Sequence, residues 1–403
     1  MELIGARASL FPELKARVYW SFAAISPLAA PVRAVVDGWH RRLAEEGVAT
    51  AGAMIAARDA ARRELAGALG GAPEDYALTQ GTTASVVTLA RSLRWRAGDR
   101  VALFDDEFPT NVVPWREAAA DHHLGVDVFA QAPFGRDPDA ALDALERDLA
   151  GRGVRVVAVS AVAFQSGVAM PLTALAEVCH RHRALLVVDA IQAAGIAPLD
   201  LARSGVDAAV GGGHKWALGT DGAGWIYVAP RAREAFGPSL AGWLSFEHPA
   251  RFLTEPDRLH DPRVHLPAPR VFEGGSIATA AHLALTEGLR LCTAAAREGS
   301  PPGGTVAFDH VQALHDRIEP VLVERGFASE RSAHRAARSG ILAARPPAGV
   351  GLQALQAALA RRGIVVTIPD GRLRLAPHFA STFEEAEVLA SALPEAISEA
   401  RQA

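Results

Sequence analysis

Two cysteines among 403 residues, Cys179 and Cys292, are too few for a disulfide framework or a four-thiolate zinc site. Positive charge is not in excess: Lys plus Arg total 41 against 45 for Asp plus Glu, a net charge of −4. The electrostatic footprint of a nucleic-acid binder is therefore missing. No apolar run reaches the roughly 18 residues that a membrane span requires. The opening Met1-Glu2-Leu3-Ile4-Gly5-Ala6-Arg7 lacks the charged-then-apolar order of a secretion signal. Internal repeats and low-complexity tracts are absent as well. What remains is a half-apolar chain with 21% charged residues, a composition that folds, at a length suited to two domains of unequal size. The expectation is a soluble, cytoplasmic protein with no nucleic-acid or membrane partner.

From about residue 75 short apolar strands alternate with longer amphipathic stretches, the pattern of an α/β protein with a parallel sheet. The strands are expected at Asp75–Thr79, Arg100–Phe104, Gly125–Phe129, Val154–Val159, Ala184–Val188, Asp207–Val210 and Gly224–Val228. Helices are expected between them at Ala84–Leu93, Ala140–Leu149 and Leu172–Arg183, and as an earlier pair around Pro31–Glu46 and Ala51–Leu69. Leu172, Leu175, Ala176 and Cys179 recur at helical spacing, which makes Cys179 a core thiol. Ser300-Pro301-Pro302-Gly303-Gly304 is the strongest breaker cluster and predicts a surface loop. Beyond it, helix and strand signals alternate at Phe308–Arg317, Gly340–Ala344, Leu352–Arg361, Ile364–Thr367, Arg372–Leu375 and Phe383–Leu393, as in a small α+β domain.

Four segments fall at the C-terminal ends of expected strands, where open α/β sheets bind their ligands. Gln80-Gly81-Thr82-Thr83 joins a strand to a helix and combines a permissive glycine, two hydroxyls and free helix N–H groups, although it also reads as an ordinary helix cap. Asp189 ends a buried strand, where a carboxylate must be paired, cap a helix or serve a ligand. Gly211-Gly212-Gly213-His214-Lys215-Trp216 has neither the spacing of a phosphate loop nor that of a dinucleotide fingerprint. A lysine in that apolar setting is partly deprotonated by desolvation and can attack a carbonyl. Glu107-Phe108-Pro109-Thr110-Asn111 offers an aromatic ring for stacking, or for filling the core.

A phosphate cradle, a stacking ring, an acid for a pyridine nitrogen and a Schiff-base lysine are what pyridoxal phosphate requires. Their order here resembles the class V aminotransferase family of fold-type I pyridoxal-phosphate enzymes. That group includes cysteine desulfurases, selenocysteine lyases, kynureninases and isopenicillin N epimerase-like proteins. The resemblance runs from about residue 70 to the C-terminus and is most specific over Val188–Tyr227. It implies a mostly parallel seven-stranded sheet with helices on both faces and a small C-terminal α+β domain. It divides the chain into an N-terminal segment 1–30 packing on the small domain, a large cofactor-binding domain 31–275 and a small domain 276–403. It also implies a homodimer acting on an α-amino acid.

Carried over residue by residue, the resemblance makes Lys215 the catalytic amine that holds the cofactor and moves the Cα proton. Asp189 would pair with the pyridine nitrogen, and Gln192 would reach the phenolic oxygen. Phe108 would stack on the ring, with Ile191 covering the other face. Thr82, Thr83 and His214 would hold the phosphate. Glu273-Gly274-Gly275-Ser276 is similar to the family's Glu-Ala-Gly-Thr segment, so Ser276 would serve the phosphate of the neighbouring subunit. Arg374, in Arg374-Leu375-Ala376-Pro377-His378-Phe379, would clamp the substrate carboxylate through parallel N–H bonds.

The sequence departs from the family pattern at Gly212, where serine is usual, at Phe164, often polar, and at Ala376 and Ala380. No metal site is expected: His180 and His182 face different ways on a helix, and His122-His123 reads as an exposed helix end. Among reactions, desulfuration through a persulfide needs a mobile-loop cysteine, and the stretch Ile364–Leu375 contains none. Elimination at Cβ needs only Lys215 and a leaving group; epimerisation needs a second base on the opposite face, for which His265 and His378 are the candidates. A β-elimination (C–S) lyase is the favoured reading, with an epimerase or aminotransferase as alternatives. A catalytically silent, partner-binding homologue is the alternative of another class.

Overall fold

The computed structural model describes residues 2–298 and 305–402, and the expected loop at Ser300–Gly304 lies outside the described residues. A two-residue strand comes first, β1 (Val18–Tyr19). Seven strands then form the main sheet: β2 (Tyr76–Thr79), β3 (Arg100–Phe104), β4 (Gly125–Phe129), β5 (Val154–Ser160), β6 (Leu185–Asp189), β7 (Ala208–Gly212) and β8 (Gly224–Val228). Their spatial order is β2-β8-β7-β6-β5-β3-β4. All neighbouring pairs are parallel except those made by β8, which runs antiparallel to β2 and β7. The expected mostly parallel, seven-stranded α/β sheet is the observed one.

The near-continuous apolar runs of the central strands follow from helices covering both faces. Strand pleating sends alternate side chains to opposite sides. Val101, Leu103, Val156 and Ala158 pack with Val86, Leu89 and Trp115 on one face. Ala102, Phe104, Val157 and Val159 pack on the other with Leu65, Leu145, Leu175 and Cys179, so Cys179 is core as its spacing predicts. Helix Thr279–Arg297 adds Ala284, Leu285 and Cys292 to this second face.

The remaining strands are β9 (Ala328–Ser329), β10 (Leu342–Arg345), β11 (Ile364–Val365) and β12 (Leu373–Leu375). Strands β9, β10 and β12 form a three-stranded antiparallel sheet, and β1 pairs in parallel with β11. Helices Val306–Glu324, Leu352–Arg361 and Phe383–Gln402 close a separate core that also takes Val18 and Trp20 from the N-terminal segment. Two of these helices run longer than the periodicity predicts, past Pro320 and Pro394. An interior proline removes one backbone bond, but Ile318, Leu322, Leu393, Ala396 and Ile397 are buried around those points and hold the turns in place.

The N-terminal segment is a strap between the two cores. Trp20 N–H donates to Val365, Phe22 N–H to Ala376 and Ser26 N–H to the His214 carbonyl, at 3.0, 3.1 and 2.8 Å. Among the described residues no helix is long and apolar enough to cross a membrane.

Candidate active site

The C-terminal ends of the parallel strands open onto a cavity of about 600 Å³. Its walls bring together Thr82, Thr83, Phe108, Asp189, Ile191, Gln192, His214, Lys215 and Arg374, from five separate stretches of sequence. Ser276 is the exception: it is exposed on the loop after Glu273 and does not line the cavity of its own chain.

At one end, helix Thr82–Ser92 points its N-terminus into the cavity directly after Gly81. The Thr82 hydroxyl is buried and has no hydrogen-bond partner among the described residues. A Cβ at Gly212 would stand 2.9 Å from that hydroxyl, so serine there would collide with Thr82. The departure at Gly212 is thus matched by a hydroxyl arriving from another element. Thr83 is exposed, and its hydroxyl meets that of Thr110 at 2.8 Å. Free helix N–H groups and an unpartnered hydroxyl are the kind of donors that bind a phosphate.

In the middle, Asp189 is buried at the end of β6, where its carboxylate accepts a bond from the Ile191 N–H at 2.9 Å. Burial pushes its pKa up to about 6, against the opposing pull of Lys215. Burial likewise pushes Lys215 down to about 8, opposed by Asp189. An amine with that value is about one-tenth deprotonated at pH 7, far more than an ordinary lysine, as a nucleophile requires. Phe108 keeps 46% of its surface exposed and meets Phe164 edge-to-face at 5.2 Å. The Lys215 ammonium lies 5.8 Å from the centre of the Phe108 ring. His214 is held below its ordinary value, first by burial and then by the Lys215 charge.

At the far end, Arg374 donates from Nε to the Thr367 hydroxyl at 2.9 Å and from Nη1 to the Phe164 carbonyl at 2.7 Å. It makes no ion pair among the described residues, and burial alone lowers its pKa to about 10. A desolvated guanidinium without a counter-ion is costly. An anion entering the cavity would relieve that cost.

Three contributors are invisible in the linear sequence. Thr367, bridged to Arg374 across a short turn, and the carbonyl of the distant Phe164 aim the guanidinium. Glu107, next to Phe108 in the chain, is buried and bonded by the Ser160 N–H and hydroxyl and by the Asn111 amide, and burial raises its pKa to about 7. Ala23 and Ala24 of the strap line the cavity 190 residues before the lysine loop. One overlooked signal was available: the chain has only two lysines, Lys15 and Lys215. Arginine carries nearly all its positive charge, so a lysine kept amid glycines marks a place where only an amine serves.

The model of the aminotransferase class-V family matches residues 23–368. The chain belongs to that family. It is therefore a pyridoxal-phosphate-dependent enzyme. It is 33% identical to isopenicillin N epimerase from Streptomyces clavuligerus over 189 residues, 47% of each chain. An uncharacterized aminotransferase, YcbU, from Bacillus subtilis is 26% identical over 384 residues and 93% of each chain. A probable cysteine desulfurase from Methanothermobacter thermautotrophicus is 28% identical over 57% of this chain and 58% of that one. The chain thus spans about half the length of the epimerase and desulfurase relatives it matches. Among solved structures, a complex of the cystine C–S lyase C-DES with its product cysteine persulfide superposes with a TM-score of 0.84, at 22% identity over 95% of this chain and 98% of that one. An apo cysteine desulfurase from Thermococcus onnurineus gives 0.83 at 21% identity, covering 98% and 97%. At those identities the likeness establishes the fold.

Proposed function

We propose that this family member is a β-elimination lyase that cleaves the Cβ–S bond of an S-substituted cysteine. Thr82, Thr83, His214 and the N-terminus of helix Thr82–Ser92 would hold the cofactor's phosphate, Phe108 and Ile191 would flank its ring, Asp189 would meet its pyridine nitrogen, and Gln192 its phenolic oxygen. Lys215 would anchor it. The unpartnered Thr82 hydroxyl and the gap at Gly212 fit that placement. Bound there, pyridoxal phosphate supplies the electron sink that stabilises negative charge at Cα. The Arg374 guanidinium fixes the substrate carboxylate, Lys215 removes the Cα proton, and the β-sulfur departs as thiolate. Water then completes the stoichiometry, one pyruvate, one ammonia and one thiol per substrate.

The observation that carries this reading is the pair of buried cations in one cavity, Lys215 with a lowered pKa and Arg374 without a counter-ion. The side-chain inventory favours elimination over inversion. His378 is fully buried, donates to or accepts from nothing in the cavity, and contacts the Trp216 carbonyl at 2.9 Å; burial pushes it down to about 4. His265 is exposed and packs on Phe246 with ring centres 4.6 Å apart. Neither lines the cavity. Both cysteines are buried, and burial pushes Cys179 up to about 12 and Cys292 higher, so neither is a sulfur acceptor.

We further propose a cytoplasmic homodimer in which Ser276 serves the partner's cofactor. Its exposed position outside its own cavity supports this, as do the exposed apolar side chains Ile25, Leu28, Leu240 and Trp243. The deciding experiment incubates the holoenzyme with S-substituted cysteines and measures pyruvate, ammonia and thiol. Parallel samples in deuterium oxide follow exchange and optical inversion of amino acids that carry no leaving group. Keto acid with equimolar thiol supports the lyase. Inversion without keto acid from any β-substituted substrate would replace it by an epimerase, and absence of both would leave a silent homologue.

A further inference from the structure

The residue after the lysine has a role of its own. Trp216 is fully buried, and its indole N–H donates to the Gln192 side-chain carbonyl at 2.8 Å. An indole nitrogen can only donate, so the Gln192 atom facing it must be oxygen and the other must be the NH₂ group. That group donates one hydrogen to the Ala23 carbonyl of the strap at 3.0 Å. Its second hydrogen has no partner among the described residues, and Gln192 lines the cavity.

The indole cannot easily turn away. A Cβ at Gly340 would come within 2.7 Å of the six-membered ring, so the wall there is tight. The His378 ring stacks on the indole at 5.7 Å with an interplanar angle of 27°, and the Trp216 carbonyl is held by His378 and by the Cys292 thiol, at 2.9 and 3.3 Å. Without the indole N–H, only the Ala23 carbonyl would hold the glutamine amide, which would be freer to turn its carbonyl oxygen toward the cavity.

We propose that Trp216 is a positioning residue that locks the Gln192 amide with its NH₂ toward the cofactor's phenolic oxygen. This rests on the placement of Gln192 proposed above. A donor at that oxygen stabilises its negative charge, and most strongly when the neighbouring imine nitrogen has lost its proton. The locked amide therefore lowers the pH at which the visible band of the bound cofactor titrates.

The test titrates that band in the wild-type holoenzyme and in Trp216→Phe, Gln192→Leu and the double variant, with cofactor dissociation constants measured alongside. A further variant replaces Trp216 by its benzothiophene isostere, which keeps the ring shape and removes only the N–H, so the test survives poor folding of Trp216→Phe. Expected is an upward shift of the midpoint by about half to one pH unit in each single variant, the equivalent of one ordinary hydrogen bond. The double variant should shift no further than Gln192→Leu alone, because the two act through one contact. An unshifted midpoint in Gln192→Leu would remove the proposed role of Gln192 itself. A shift in Gln192→Leu with none in the isostere, or additive shifts in the double variant, would overturn the positioning role of Trp216.

Discussion

Two buried charge clusters, both close to the sheet, have opposite designs. In the first, the Glu273 carboxylate is closed in by Arg58 and Arg62, at 2.5 and 2.7 Å, and accepts a bond from the Leu78 N–H. The surrounding arginines outweigh its burial and hold its pKa below the ordinary value. In the second, Asp189, Lys215 and Arg374 share a cavity in which burial dominates: the acid is raised, both bases are lowered, and Arg374 lacks a counter-ion. The first cluster is complete within the chain and ties helix Ala51–Leu69 to strand β2 and the loop that leads to Ser276. The second is complete only when a ligand brings the missing charges. Buried charges that satisfy one another act as structure, and buried charges left open act as a site.

The sharpest way to break this contrast is Lys215→Ala. Turnover should be lost, along with the borohydride-fixed label on the chain, while the melting temperature of the apoprotein should not fall, since an unpaired buried amine is removed. The label is easily assigned, because Lys15 is the sole other lysine. Normal turnover in the variant would end the assignment.

Glu273→Gln should do the reverse. It leaves the buried Arg62 and half-buried Arg58 guanidiniums facing a neutral amide, and denaturant melts should show a loss of about 3–5 kcal/mol. The effect should also carry a pH signature. A carboxylate whose folded pKa is depressed contributes stability that is present above its unfolded value and lost as pH falls through the folded one. The wild-type advantage over the variant should therefore shrink on acidification. A difference that stays constant with pH would show that the ion pairs are not its source.

Arg374→Lys keeps a charge but loses the planar fork. The expected loss is about 2–4 kcal/mol in kcat/KM, with the cofactor's absorbance unchanged. Retention of wild-type kcat/KM would remove the carboxylate clamp from the site.

A smaller effect is expected at Thr82→Val, which replaces the unpartnered hydroxyl by a methyl group of similar size. Cofactor affinity should fall by about 1 kcal/mol in equilibrium titrations, with apoprotein stability unchanged or slightly raised. Lower stability with unchanged affinity would make Thr82 part of the structural set instead.

The smallest effect is a pH slope. Glu107 has its folded pKa raised to about 7 by burial, the opposite sign to Glu273. Its contribution is fully present below the unfolded value and lost as pH rises through 7. Apoprotein melting temperatures should therefore decline between pH 5 and 8 more steeply in wild type than in Glu107→Gln. Equal slopes would place the titration elsewhere.

Much of this site was legible because its parts are local. The segments around Thr82, Asp189 and Lys215 each follow a strand whose apolar run is plain in the sequence, and each ends at the same edge of a parallel sheet. The strands of the main sheet fell within a residue or two of their expected bounds, since short apolar runs and glycine breakers act over a few residues. Helix ends at Pro320 and Pro394 were misplaced because a proline's local cost is outweighed by packing on distant side chains. Neither His265 nor His378 could be placed in advance, because side-chain facing at long range depends on how the separate cores dock.

By itself, then, the sequence determined the doubly covered sheet, the family and the position of Lys215 at the end of a strand, all of which rest on short-range patterns. Only the tertiary structure decided that Thr367 and the Phe164 carbonyl aim Arg374, that Thr82 fills the gap left at Gly212, and that Trp216 and Ala23 fix the orientation of Gln192. Apart from Thr367, seven positions from Arg374, those contacts join residues from 24 to more than 200 positions apart. Their geometry is set by close packing between elements, which no local preference of the chain encodes.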